Sequence, residues 1–340
     1  MNFLSKNIYN MNKILKKIYK KIKKIKRGKN ASYIPELARV NPNIFSISFV
    51  DCNGHIYHIG NHNKKVAIES ISKLFTFSKV IKTIGQKKFM TKVGLDGSSL
   101  PFNSVAAEEL SPSHTINPFV NQGAIATTSL LYKKNKKQFQ KTILDNMNLF
   151  ANRKLIVGQD VYRSESKTNV KNIALAQLLK SHNRFYGDVL TTVDVYTKQC
   201  SVLVSSDDLA IMGSVFANGG IHPITNKRIL QSNDVEFILN ALGPEGLYEY
   251  SDNWMMRTKG VPAKSGVGGG ILMVMPGIGA FGIVSPPLDL NGNSVKGIES
   301  GVLLAKETRK LYNIKNNFDC KTRKKGRKRR KTKKNRKLKK

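Results

Sequence analysis

The sequence predicts an α+β fold, in which an antiparallel sheet drawn from both ends of the central region is layered with helices, and a helical lobe is inserted between those ends. Two hairpin signals and the long helical stretch separating them predict it. Taken in order, Ile14, Ile18, Ile22 and Ile25 recur at roughly helical spacing among lysines, which reads as an amphipathic helix. In "IFSISFVDCNGHIYHIG", Phe45, Ile47 and Phe49 alternate with small polar residues, Asn53-Gly54 turns the chain, and Ile56 to Ile59 returns it. Helical patterns then fill 70–84, 121–134, 137–152, 171–182, 188–198, 206–217 and 233–242. The second strand pair is Gly270–Met275 with Ala280–Val284. It lies in an uncharged run, Val267–Val284, long enough to suggest a membrane span, but Pro276-Gly277 and the other glycines break it into two buried strands around a turn. No internal repeat is present.

At 340 residues and 40% hydrophobic content the chain can bury a sizeable core. Its net charge of +36 is concentrated at the ends. Residues 1–29 hold eleven Lys/Arg and no acid, and 321–340 hold fifteen and no acid, leaving a modest excess for the rest. The run "KTRKKGRKRRKTKKNRKLKK" has almost nothing to bury, so 315–340 is expected to be a disordered basic tail. Counterion release would let 321–340 bind nucleic acid or an acidic surface without sequence preference, yet with no aromatic residue for bases to stack on it does not read as a dedicated RNA module. A merely solvated tail is the competing reading. Cys52, Cys200 and Cys320 lie far apart, which speaks against a disulfide framework or zinc site, and the six histidines show no H-E-x-x-H, so no metal or cofactor is expected. The N-terminus lacks the apolar stretch of a secretory signal; a transit peptide or membrane-surface helix stays open at this point.

Chemistry enters at "AIESISKLFTF", where Ser70 and Lys73 stand three apart and so share a helix face. A buried lysine, partly neutral, can take the proton of that serine. The competing reading makes Ser70 a helix cap and Lys73 a surface charge, and the same spacing recurs at Ser164 and Lys167. Downstream, Lys264-Ser265-Gly266 precedes the buried strand at 270. S-x-x-K opening a helix after a hairpin, with K-S-G opening a late strand, resembles the pairing in serine β-lactamases and penicillin-binding proteins. The glycines of Gly266–Gly270 do not form a phosphate loop, because a strand rather than a helix follows them.

The series "YIPELARVNP", "IESISK", "GSSLPFNS", "NPFVNQGAIATTSLL", "VYRSE", "LTTVDVYTKQCS", "FANGGIHPITNKRIL", "VPAKSGVGGGI" and "SPPLDLNGNSVKG" runs in one order along the chain. It resembles the glutaminase family over roughly residues 12–312. The resemblance implies a β-lactamase/penicillin-binding-protein-like fold that hydrolyses L-glutamine to L-glutamate and ammonia. Ser70 would be the nucleophile, Lys73 its base, and the backbone N–H groups of Ser70 and Val267 the oxyanion hole. Tyr196 and Tyr248 would relay protons, and Tyr33, Glu69, Asn121, Glu165, Asn172, Tyr196, Tyr248 and Val267 would contact substrate. An amino acid carries an ammonium and a carboxylate, so one anion (Glu165) and neutral donors (Asn121, Asn172, Tyr33) suit it. Each also has a plain alternative: Asn172 as a cap, Tyr196 as core, Glu165 as partner of a surface lysine.

The resemblance further implies a catalytic domain over 12–314 after an extension at 1–11, with sheet from about 40–65 and 255–300 and a helical lobe about 75–210. It makes the N-terminal helix part of the mature fold and implies a homodimer or homotetramer, cytoplasmic, with a mitochondrial protein as the lesser alternative. Three departures stand out. Glu69 replaces a usual glutamine and would repel the substrate carboxylate, hold Lys73 protonated, or stay protonated itself. Gln122 replaces a commoner alanine, which would narrow the pocket, and Lys171 a commoner arginine. Two other functions fit less well: another serine acyl hydrolase of this fold, such as a penicillin-recognising enzyme, and a former enzyme acting through its basic ends.

Overall fold

Strands from 46–60 and from 263–284 meet in one sheet. In the computed structural model, which describes residues 3–97 and 100–314, strands β1 (Ser46–Asp51) and β2 (Ile56–Gly60) form the expected hairpin with Ser46 opposite Gly60. Asp51 Oδ1 accepts the N–H groups of Asn53 and His55, both at 2.9 Å, and Gly54 takes the positive φ of 88° that the turn needs. Three short strands follow: β3 (Val66–Ala67), β4 (Ile156–Val157) and β5 (Val202–Val204). Last come β6 (Ala263–Gly266), β7 (Gly270–Met275) and β8 (Gly279–Val284). The five-stranded antiparallel sheet has the order β2-β1-β8-β7-β6, so β1 joins the late strands to the early hairpin.

Alternation along these strands decides what covers each face. Ile47, Phe49, Ile271, Met273, Phe281 and Ile283 share one buried cluster with Met11, Leu15, Ile18 and Ile22 of the helix Phe3–Ile22 and with Leu304 of the helix Val295–Leu311. The opposite face carries small residues. Ser48 Oγ lies 2.8 Å from Ser206 Oγ, and a Cβ on Gly282 would sit 2.1 Å from Ser206 O. Serine and glycine there let the helix Ser206–Ala217 lie directly on the sheet. Beyond it a second cluster packs Phe75, Phe77, Phe150 and Phe216. Among the described residues, no helix is long and apolar enough to cross a membrane.

Several expectations are corrected. The small sheet β3-β5-β4 was not expected: its strands fall just before and between the expected helices, and two- and three-residue strands leave no period to detect. Lys264-Ser265-Gly266 does not open the strand at 270; it belongs to the separate edge strand β6, paired with β7 across a tight turn. Helices Gln159–Thr168, Ser251–Thr258 and Val295–Leu311 were not foreseen. The first is mostly polar, and the last contains Gly297 and Gly301, which argue against a helix in sequence. Gly301 is needed because a Cβ there would lie 2.3 Å from the buried Trp254 ring. The helix expected over 121–134 ends at Ser129. The N-terminal helix begins at Phe3, so residue 12 falls inside it, and the basic tail lies outside the described residues.

Candidate active site

Strand β3 runs into a 3-10 turn, Glu69–Ile71, and then the helix Ser72–Ile84. Ser70 therefore sits just ahead of a helix N-terminus, within its positive field. It is not the cap: Ile71 holds that position with no side-chain cap bond. Lys73, one turn on, is 1% exposed rather than solvated. Its Nζ donates to Phe119 O at 3.0 Å and to Asn121 Oδ1 at 2.7 Å. Asn117 prepares the first of these, its Oδ1 accepting the N–H groups of Phe119 (2.9 Å) and Val120 (3.2 Å) in a side-chain turn. Burial pushes the Lys73 ammonium down to about 7, against the opposing pull of Cys200, Glu69 and Glu165.

Asn121 is the hub of the polar network. Its Oδ1 also accepts the Tyr196 hydroxyl at 3.4 Å, and its Nδ2 donates to Asn172 Oδ1 at 3.1 Å. Asn172 lies inside the helix Val170–Ser181, whose cap position is Asn169, so it is free of the capping role. Tyr196 is buried as core would be, yet its hydroxyl reaches this network. The Tyr248 hydroxyl donates to Ser265 O at 3.5 Å beside Ser70; burial raises its pKa, and the Ser70 hydroxyl works the other way. Lys264 stands behind it, Nζ 4.4 Å from the Tyr248 ring centroid and donating to Gly246 O (2.8 Å) and Ser265 O (3.1 Å). Burial, then Lys73, push the Lys264 ammonium well down. Glu69 and Tyr248 both adopt left-handed backbone, φ 50° and 55°, which is strained for such side chains and flanks the serine from two directions.

The end of β6 closes on this turn. A Cβ on Gly266 would lie 2.6 Å from Ile68 O and 3.3 Å from Ser70 N, and one on Gly268 would lie 2.2 Å from Ala67 O. Only glycine lets β6 approach so closely, and the approach brings Val267 and Ser70 to the wall of one cavity. Gly266→Ala is accordingly expected to cost roughly 1–3 kcal/mol of stability by forcing the strand off the turn, and to lower activity far more than that loss explains. Chemical denaturation beside initial rates checks it; an active variant of unchanged stability contradicts the close packing.

The cavity is about 240 Å³, and Tyr33, Glu69, Ser70, Asn121, Glu165, Asn172, Tyr196 and Val267 line it. That is below the roughly 300–1,000 Å³ of pockets for drug-sized ligands and suits a small metabolite. All these residues were expected at the site, and the structure brings them together. Tyr33 stands at the mouth, 58% exposed; Glu165 is buried rather than paired with a surface lysine. Burial raises the Glu165 carboxyl to about 8 and the Glu69 carboxyl well above its usual range, Glu165 adding to the latter. Gln122 is corrected: one position round the helix from Asn121, it turns away from the cavity and its Nε2 donates to Ser104 O. Sequence reasoning missed Phe102, Asn103, Thr168, Asn169 and Cys200 in the lining. Phe102 and Asn103 fall in the quoted "GSSLPFNS", but a loop's destination has no periodicity to betray it. Lys171 Nζ holds Asn103 Oδ1 at 3.1 Å across the entrance.

Among the described residues, two side-chain groups have metal-ligand chemistry. Glu69, Glu165 and Cys200 offer atoms within 4.8 Å of one another inside the cavity, and so do His58, His62 and Asp207 elsewhere. The His58 and His62 rings stack at 3.5 Å with 11° between planes, so their in-plane lone pairs run side by side instead of converging on one ion. Asp207 meets the His62 Nδ1 at 2.7 Å, an ordinary hydrogen bond.

An antiparallel sheet whose edge strand meets a serine at the wall of a small polar cavity, with a buried lysine one turn behind that serine, defines a layered α+β protein with a polar small-molecule site. The chain belongs to the glutaminase family, whose model matches residues 28–312. It is 47% identical over 283 residues to a glutaminase of Colwellia psychrerythraea, covering 83% of this chain and 91% of the relative. It is 42% identical over 289 residues to glutaminase 1 of Escherichia coli, covering 85% and 93%. The solved structure of the probable glutaminase ybaS superposes with a TM-score of 0.86 at 40% identity, covering 88% of this chain and 97% of that one. A probable glutaminase from Bacillus subtilis, complexed with 6-diazo-5-oxo-L-norleucine, gives 0.76 at 27% identity, covering 88% and 93%.

Proposed function

We propose that the chain is a glutaminase, hydrolysing L-glutamine to L-glutamate and ammonia through a γ-glutamyl ester on Ser70. The buried Lys73, one turn from Ser70 and with its ammonium brought down to about 7 so that a neutral amine is within reach, is the observation that carries this reading. Ser70 Oγ attacks the side-chain amide carbon while its proton passes to Lys73, with the neighbouring Tyr248 phenol as relay and Tyr196 steadying Asn121. The backbone N–H groups of Ser70 and Val267 receive the developing oxyanion. Collapse breaks the C–N bond, the departing nitrogen takes the proton back, and ammonia leaves. Water then attacks the ester, gives its proton to the same base, and releases glutamate with Ser70 restored. Glu165 receives the α-ammonium; Tyr33, Asn121 and Asn172 serve the other polar ends.

This reading includes a β-lactamase-like catalytic domain that takes in the whole N-terminal helix and runs to 314, with its helical lobe at about 75–210. Through the family resemblance it also includes assembly as a homodimer or homotetramer and a cytoplasmic location. The charge of 321–340 adds a polyanion-binding segment. The test is incubation of purified full-length protein with L-glutamine. Equimolar glutamate and ammonia, with a γ-glutamyl adduct mapped to Ser70 by mass spectrometry after rapid acid quench, support the reading. Release of neither product overturns it, and acylation of Ser70 by a β-lactam instead would move the assignment to a penicillin-recognising enzyme.

A further inference from the structure

The proposed mechanism uses Glu165 but leaves unexplained a second carboxyl in the same cavity. Glu69 is 3% exposed and Glu165 8% exposed; both line the cavity, with Cys200 they have ligand atoms within 4.8 Å of one another, and both face Lys73. Two carboxylates this close and this buried do not both stay ionised. Donors are also too few. Glu69 Oε1 has no hydrogen-bond partner among the described residues. Glu165 Oε2 has only the Ser201 hydroxyl at 3.4 Å, whose single proton is better placed on Thr197 O at 2.8 Å. Two of the three Lys73 donors are committed to Phe119 O and Asn121 Oδ1. The other titratable groups around the pair are Tyr196, Tyr248 and Cys200, held protonated by burial with Glu69 adding, and Tyr33 at the mouth, whose phenol is likewise pushed up by the packing around it and then by Glu69. A proton on the pair and an incoming ammonium, with three donors of its own, meet the deficit.

We propose that Glu69 and Glu165 work as one proton-sharing pair, in which Glu165 is the anion that takes the substrate's α-ammonium and Glu69 is the acid that donates a hydrogen bond within the amino-acid subsite. Glu69 is then a specificity-determining residue that imitates a neutral amide only while the shared proton remains. The inference rests on the glutaminase reading for the identity of the amino acid. Its sign follows directly: loss of the shared proton at alkaline pH leaves two negative charges, and the α-carboxylate of the substrate is repelled. Glutamine affinity therefore falls by up to about tenfold per pH unit beyond that loss, and Glu69→Gln, neutral at every pH, removes this fall and leaves only the titrations that both proteins share, those of Lys73, Glu165 and the substrate ammonium.

The experiment measures glutamine binding by calorimetry from pH 6 to about 9.5 in Ser70→Ala protein, with and without Glu69→Gln. In parallel, infrared difference spectra of substrate-free protein record the carboxylic-acid C=O band against the Glu69→Gln variant, with circular dichroism as the folding control. The expected result is an alkaline fall in affinity that Glu69→Gln removes, together with loss of an acid C=O band. Superimposable binding curves and no band difference overturn the proposal. If neither protein binds glutamine at any pH, the substrate reading fails, and the band alone decides whether the pair shares a proton. If Glu69→Gln does not fold, Glu165→Gln takes its place in the infrared measurement, since it breaks the same pair.

Discussion

Ser70→Ala is expected to lower glutamine hydrolysis by at least about 10⁴-fold while leaving the fold intact, because it removes the only atom to which the γ-glutamyl group is bonded. The structural cost is small. Ser70 lies in a 3-10 turn that alanine enters without strain, and the change deletes one hydroxyl, which can form at most one hydrogen bond to the neighbouring Tyr248 phenol. Losing such a bond costs about 1 kcal/mol, well within the stability of a domain of this size. The oxyanion donors belong to the backbone and survive the substitution, so whatever rate remains reports binding and electrostatic stabilisation without covalent catalysis. Steady-state release of ammonia, compared at equal folded concentration, is the measurement. A variant retaining more than a few per cent of the wild-type rate removes Ser70 from the role of nucleophile and points to water activated directly by Lys73.

Much of this site was legible before the structure because its chemistry is local or ordered. Ser70 and Lys73 stand three residues apart on one helical face, and the hairpin at Asn53-Gly54 and the turn at Pro276-Gly277 declare themselves through turn residues. What could not be read was anything fixed by distant approach. That β6 lies against the Glu69–Ile71 turn is decided by Gly266 and Gly268, whose role appears only when a Cβ is placed on them. That Gln122 points away while Asn121 points in depends on the angle at which one helix meets another. The helix Val295–Leu311 was hidden by Gly301, which looks like a breaker in sequence and is in fact the seat for Trp254. Glu69 shows the same limit differently: the substitution is plain in the sequence, but its nearness to Glu165, which makes it more than an isosteric change, joins residues 96 apart in the chain.

Lys73→Met tests the other half of the pair, with an expected loss of roughly 10²–10⁴-fold in kcat, the range a positioned general base supplies. Methionine keeps the unbranched shape and leaves no charge behind, so packing changes little; Phe119 O and Asn121 Oδ1 lose a donor, at roughly 1–3 kcal/mol. The pH dependence separates a base from a scaffold. Burial brings the ammonium down to about 7, so wild-type kcat should climb with pH through that point as the amine becomes neutral, and the residual activity of Lys73→Met should lack this limb. Stability carries a matching signature. A buried lysine with a depressed pKa penalises the folded state wherever the amine is charged, fully below about 7, and the penalty is relieved as pH rises toward the unfolded value of about 10.4. Wild-type stability should thus gain with pH across that window relative to Lys73→Met. A merely structural lysine would yield the stability difference without the rate limb, and a fully protonated one would yield neither. Both signatures together leave Lys73 as the group that takes the Ser70 proton.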